Sequence, residues 1–334
     1  MVVCAADGGR FADPERQPVG PLSLSPAAHV LHYGSAVFEG LKAHRGEDDV
    51  VRLFRVDRHV ARMRASAALA CLPVPDPDLL HHAIRDAVVA NLDAVPPPPG
   101  SLYLRPVLLG TEPNIGAAAS ASRDALLYVL ASPVGDYFGG GARALRLLVE
   151  TSLPRTTPQF GQVKSGANYV MALGLIRRAR DDHGADQVLF APGGDVQETG
   201  AANLLLLDAE RVVTKGLDGS FLHGVTRDSI LTLATDLGLA VEERDIRLDE
   251  LLAWSDRGGE VALTGTAAVL AGVGGLVVDG AHVSVGDGEV GPVTHRLRDA
   301  LLAIQRGVAT DEHGWTEPVA GTATSPPPPD VGTP

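Results

Sequence analysis

Gln162-Val163-Lys164-Ser165-Gly166-Ala167-Asn168-Tyr169 is the stretch that decides how this chain reads. A lone lysine in a loop is ordinarily a solvated surface group. Here glycine follows almost at once, giving the backbone room for a flat ring, and a tyrosine comes soon after. Further on lie Gln197-Glu198-Thr199-Gly200-Ala201-Ala202-Asn203, Gly224-Val225-Thr226-Arg227-Asp228-Ser229 and Thr264-Gly265-Thr266-Ala267-Ala268. Burial beside apolar or cationic groups strips a lysine of its proton, and the free amine attacks aldehydes. A Walker-type phosphate loop needs glycine directly before its lysine, and Val163 stands there instead.

Pyridoxal phosphate requires a lysine for its aldehyde, an anion for its ring nitrogen and donors for its phosphate, and these segments offer all three. Glu198 is the candidate for the nitrogen, since a carboxylate keeps the ring protonated and able to accept electrons. Small residues beside it leave space for a ring. Val225 and Thr226 open a predicted helix, whose free N–H groups and dipole attract anions. Gly265 and Thr266 offer close backbone approach and a hydroxyl, and Arg58 offers charge. The phenol of Tyr169 can bond the ring oxygen. Taken singly, each residue has an ordinary explanation: an exposed strand-end glutamate, a helix cap, a solvated arginine, a core tyrosine.

The formal net charge of −13 repels nucleic acid and anionic membrane, so neither partner is expected. A hydrophobic share of 45% suits one large domain or two modest ones. Cys4 and Cys71 make neither a disulfide framework nor a metal motif, so the expectation is a reducing compartment with no metal. The N-terminus lacks a basic n-region and a long apolar run, and no segment reaches spanning length. A soluble, cytoplasmic protein without a signal peptide is expected.

Residues up to 26 read as irregular, being rich in Pro and Gly. Strands are predicted at 51–55, 101–109, 125–132, 144–150, 187–190, 204–207, 211–214, 260–263 and 267–271. Helices are predicted from an Asp57 cap to residue 70, over 77–92, over 168–182 with Tyr169, Leu173 and Ile176 on an apolar stripe, over 227–237 behind a Thr226 cap, and over 293–306. The glycine run 139–141 marks a linker. The division is a small domain at 1–134, an interdomain loop at 135–141, a large cofactor-binding domain at 142–321 and a Pro-rich disordered tail at 322–334. Mixed short elements in this order give the α+β class with two α/β domains.

The chain resembles the class IV, or fold-type IV, pyridoxal-phosphate aminotransferases, most closely those acting on branched-chain amino acids. The resemblance runs from about Gly20 to Trp315. It is carried by His32-Tyr33-Gly34-Ser35-Ala36-Val37-Phe38-Glu39-Gly40, Phe54-Arg55-Val56-Asp57-Arg58-His59, Tyr103-Leu104-Arg105-Pro106 and Gly110-Thr111-Glu112-Pro113, together with the segments above. It implies that Lys164 holds the cofactor and moves the substrate α-proton. It gives Glu198 the ring nitrogen, Tyr169 the ring oxygen, and Arg58, Val225, Thr226 and Thr266 the phosphate. Tyr33, Phe38, Tyr103 and Arg105 line the implied substrate pocket, with Thr266 and Ala267 at the α-carboxylate. A homodimer or larger homo-oligomer is implied, with the 109–116 loop reaching a neighbour's site.

Several residues depart from the family pattern. Ser165 and Ala167 replace Thr and Gly, Ala202 stands where Met is frequent, and His44 stands where Tyr is common. The 154–160 loop lacks the usual glycines, and the chain starts late relative to many members. These changes bear on specificity and leave the cofactor chemistry intact. The expected reaction is transamination of Leu, Ile or Val with 2-oxoglutarate. The alternatives are a specialised class IV enzyme, acting on another amino acid, a D-amino acid or an aminodeoxychorismate-like substrate, and a catalytically dead binding protein.

Overall fold

The computed structural model describes residues 1–116, 120–135 and 143–319. The expected disordered tail, and most of the expected interdomain loop, lie outside them.

Alternation builds the first half. In β1 (Val2–Asp7), Val2, Cys4 and Ala6 turn inward and Ala5 and Asp7 turn out, a period-two pattern that makes one face of a strand apolar. This corrects the expectation of an irregular start: the Gly- and Pro-rich character begins only at Gly8, after the strand has ended. The short strands β2 (Arg10–Phe11) and β3 (Glu15–Arg16) fold back on it. Then come α1 (His29–Tyr33), β4 (Ala36–Phe38), β5 (Leu41–Arg45), β6 (Val51–Phe54), α2 (Val56–Leu69), α3 (Pro77–Val89), β7 (Ser101–Gly110) and β8 (Ala125–Val134). The helix expected to reach residue 92 stops at Val89, and a separate 3-10 turn covers Leu92–Ala94.

The second half runs through β9 (Leu145–Glu150), α4 (Gly166–His183), β10 (Gln187–Phe190), β11 (Asn203–Leu207), β12 (Arg211–Thr214), α5 (Val225–Asp236), β13 (Ala240–Glu243), α6 (Leu248–Asp256), β14 (Glu260–Gly265), β15 (Val269–Val278), β16 (Ala281–Ser284), α7 (Pro292–Gln305) and β17 (Thr316–Pro318). Two sheets result among the described residues. The antiparallel one runs β17-β6-β5-β7-β8-β1-β2, with β3 and β4 attached to β1 and β7. The mixed one runs β10-β9-β15-β14-β11-β12-β13, with β16 on β15. The first sheet is drawn from strands up to β8 and the second from β9 to β16, with one crossing: β17 returns to close the edge of the first sheet at β6.

Three local expectations are corrected. Asp57 does not cap α2. Arg55 occupies the cap in a left-handed conformation (φ 51°), where its guanidinium reaches Asp228 at 2.7 Å and Ser229 Oγ at 2.9 Å, so tertiary contacts replace a side-chain cap. Thr226 does not cap α5 either. Gly224 does, because a Cβ there would sit 2.1 Å from Asn203 Oδ1, and Thr226 falls in the first turn. On α4 the buried residues are Asn168, Ala172 and Ala179; of the expected stripe of Tyr169, Leu173 and Ile176, Leu173 is 57% exposed, while Ile176 packs against the core.

In β7 the two faces do different work. Leu102, Leu104 and Leu108 are fully buried in the core with Met63, Leu80 and Ile84 of α2 and α3, whereas Tyr103 and Arg105 line a cavity on the opposite face. Among the described residues no helix is long and apolar enough to cross a membrane. Leu104→Ala is expected to cost about 2–5 kcal/mol by leaving a core void, read as a lower urea midpoint with an unchanged m-value.

Candidate active site

Lys164 ends the loop ahead of α4, and its backbone is pinned from two sides. Its N–H donates to Ser66 Oγ on α2 at 3.1 Å, and its carbonyl accepts from the N–H of Phe38 at 3.0 Å. Ser165 caps α4 by accepting from Ala167 N–H. The side chain is thereby directed into a cavity of about 220 Å³ whose lining includes Phe38, Arg62, Tyr169, Glu198, Thr226 and Thr266. Lys164 Nζ donates to the Tyr169 hydroxyl at 2.7 Å. Burial, reinforced by the Arg62 charge, lowers the amine to about 8, so a substantial neutral fraction exists near physiological pH.

Glu198 stands across the cavity, 2% exposed. One carboxylate oxygen accepts from Arg155 and from Leu222 N–H, the latter at 3.1 Å. The other accepts from Asn203 Nδ2 at 3.2 Å. Burial pushes the carboxyl up to about 7 against the pull of Arg155, a value poised for sharing a proton. The Arg155 guanidinium, equally buried, also lies 5.3 Å from the Tyr169 ring centre. One side chain thus links the two groups flanking the lysine. Arg155 was not legible as a site residue, since it sits in an irregular loop with no periodicity to mark it.

Beneath the lysine lies a second fixed set. Arg62 on α2 grips Glu39 with Nε at 2.6 Å and Nη2 at 2.8 Å, and donates from Nη1 to His223 carbonyl at 3.0 Å. His59 Nδ1 meets Glu39 at 2.8 Å. Burial alone would raise the Glu39 carboxyl; Arg62 and His59 overcome it and hold Glu39 well below the usual carboxylate range. Burial lowers the His59 imidazole, against the opposing pull of Glu39.

Of the expected residues, the fold gathers Lys164, Tyr169, Glu198, Val225, Thr226, Gly265, Thr266, Phe38, Tyr103, Arg105 and Ala267 around this one cavity. It does not bring in Arg58, whose side chain is 54% exposed and 3.9 Å from Asp228; Arg62, one turn along α2, enters instead. Tyr33 also lies outside, with its hydroxyl on Ile115 carbonyl. His44 lines a neighbouring cavity rather than this one.

The donor set fits pyridoxal phosphate: a neutral-prone amine, a carboxyl opposite, a phenol beside the amine, and a guanidinium with the first-turn amides of α5. Arg105 is stacked over Phe38 at 4.7 Å and donates to the Tyr103 hydroxyl at 2.9 Å. Its buried Nε lacks a partner, so an acceptor entering the cavity has a waiting donor. Gly40 accommodates this stack, because a Cβ there would lie 2.0 Å from the Tyr103 hydroxyl.

Comparison with known proteins gives a consistent result. A family model described as amino-transferase class IV matches residues 36–275. Branched-chain-amino-acid aminotransferase 2 of Bacillus subtilis is 37% identical, covering 96% of this chain and 89% of that protein. A probable branched-chain-amino-acid aminotransferase of Streptomyces coelicolor is 40% identical, covering 94% and 88%. The crystal structure of the branched-chain amino acid aminotransferase of Escherichia coli superposes with TM-score 0.74 at 30% identity, covering 89% of this chain and 94% of that one.

Removing Glu39 strands two guanidinium bonds in a buried position. Glu39→Ala is expected to cost about 3–5 kcal/mol, measured by chemical denaturation, and a midpoint equal to that of the parent would refute the balance described for this cluster.

Proposed function

The chain belongs to the class IV amino-transferases, and from that membership we propose that it transfers the amino group of branched-chain L-amino acids to 2-oxoglutarate, releasing 2-oxo acids and glutamate. Pyridoxal 5'-phosphate is the cofactor. The observation that carries the reading is the confrontation of Lys164 and Glu198 across one cavity, with Arg62 and the start of α5 lining it too. When bound, the cofactor supplies an aldehyde that condenses with amines and a ring that withdraws electrons from the substrate α-carbon.

The chain's own residues do the rest. Lys164 Nζ holds the cofactor and, once displaced by substrate, takes the proton from the α-carbon as a general base. Tyr169 presents its hydroxyl beside that amine. Glu198 holds a proton for the ring nitrogen, and Arg155 fixes the carboxylate in place. Arg62, the amides of Val225 and Thr226, and Thr266 hold the phosphate. The backbone at Gly265, Thr266 and Ala267 receives the substrate α-carboxylate. Phe38 packs a branched aliphatic side chain, and Arg105, poised over that ring, reads the distal carboxylate of glutamate when the second substrate occupies the same slot. The two sheets act as two domains. A cytoplasmic homodimer is the accompanying assignment; the unpaired Cys4 and Cys71 fit a reducing compartment.

Borohydride reduction and peptide mapping of the loaded protein should place the cofactor on Lys164 alone, and Lys164→Ala should fold but retain none. A label on another lysine would end the assignment. A screen of L-Leu, L-Ile, L-Val and D-Ala with 2-oxoglutarate should show turnover with the three branched L-substrates; turnover confined to D-Ala or another donor would move the enzyme to a different specificity. Arg62→Ala should weaken cofactor binding about tenfold to a hundredfold, the loss of one charge-assisted contact, whereas Arg58→Ala should leave it nearly unchanged. Only the neutral amine condenses. The rate of cofactor uptake should therefore climb with pH to about 8 and then level off, following the lowered amine, where an ordinary lysine would keep climbing to about 10.4.

A further inference from the structure

A second cavity, of about 190 Å³, lies behind the turn formed by residues 266–268. Its lining includes Lys42 and His44 from β5, Arg298 and Asp299 from the middle of α7, Arg306 just beyond its end, and Ala267. Cations near the C-terminus of a helix have an ordinary reason to be there, since they complement the helix dipole. That reason does not cover His44. The imidazole is 4% exposed, and its Nε2 is buried with no hydrogen-bond partner; the buried Nε of Arg306 is likewise without one. Buried polar atoms without partners are rare in folded proteins and point to a missing acceptor.

The geometry points to a binding site for a small oxyanion, carboxylate or phosphate, held by His44 and Arg306 on the far side of the turn that faces the substrate. The field there suits an anion. Burial, with the charges of Lys42 and Arg306, drives the His44 imidazole down to about 3, so it is neutral and able to donate one N–H while two cations bear on it. Asp299 is the only carboxylate among the described lining residues, and it is exposed.

The site is also wired to the first cavity. Lys42 Nζ donates to the Ala267 carbonyl at 2.9 Å, and Ala267 borders both cavities. An anion here competes for the positive field of Lys42 and repels a carboxylate held on the other face of the same turn. Binding at the two sites is therefore antagonistic, and by linkage equally so in both directions. This coupling rests on the transamination reading; the binding itself does not.

The test is calorimetric titration of the cofactor-loaded full chain, in which the cofactor's own phosphate site is filled, with inorganic phosphate in one arm and malonate in the other. Saturable one-to-one binding of either probe, weakened about tenfold or more in both His44→Phe and Arg306→Gln, supports the site, and the arm that binds names the ligand chemistry. No saturable binding in either arm, or binding that both variants retain, overturns it. If His44→Phe does not fold, Arg306→Gln decides alone. The coupling is read separately: the bound probe should raise the KM for the amino acid severalfold and leave kcat unchanged. An unchanged KM at saturating probe refutes the coupling while leaving the calorimetric result standing.

Discussion

Desolvation governs the active cavity. Lys164, Glu39, Glu198, His59 and Arg155 are all buried there, and an ionisable group taken out of water stays charged only if a partner holds it. The protein resolves this unequally. Glu39 is gripped by Arg62 and His59 and remains ionised. Glu198 and Lys164 are left under-compensated, so burial drags both toward neutrality. The groups to which proton exchange is assigned are the ones held near their balance points, while Glu39 beside them is locked. Reactivity and rigidity thus come from the same dielectric, divided by how far the charged partners of each group offset its burial.

The two sheets contribute separable halves of the cavity. Phe38, Tyr103 and Arg105 come from the antiparallel sheet, on β4 and β7. Glu198, Thr226, Gly265 and Thr266 come from the segments bordering the mixed sheet and α5. The period-two alternation of β7 lets Leu102 and Leu104 serve the core while Tyr103 and Arg105 face the cavity, so substitutions on the cavity face alter fit without touching the core. The departures at Ala202 and at the 154–160 loop fall on the cofactor side, where Ala202 lines the cavity and Arg155 clamps Glu198.

Much of this was legible because it is local. Lys164, Glu198 and the start of α5 each carry their neighbours' chemistry within a few residues of sequence. The arginine that enters the cavity was legible only to within a helical turn. Arg58, Arg62 and Ser66 share one stripe of α2, and Ser66 is the residue that bonds the Lys164 backbone. The depth along that stripe, one turn of about 5.4 Å, is set by how α2 packs and not by its own sequence. Arg155 lies in a loop where no period reports direction. At the N-terminus the glycines and prolines after Asp7 mask the short alternation before them, which is what sets the strand. Tyr33 was assigned by motif, and its position outside the cavity depends on the loop to which it bonds.

The closure of β6 by β17 has a consequence for biosynthesis. Thr316 and Glu317 pair with Phe54 and Leu53, and Trp315 offers its carbonyl to Arg55 N–H at 2.7 Å and its ring to the Arg55 guanidinium at 5.0 Å. The first sheet therefore emerges from the ribosome with a bare strand margin, and every strand of the second sheet must be translated before β17 arrives. An exposed margin of this kind invites foreign strands. The nascent protein passes through this adhesive state with Lys164 already synthesised and Arg55, at the head of α2, still without Trp315.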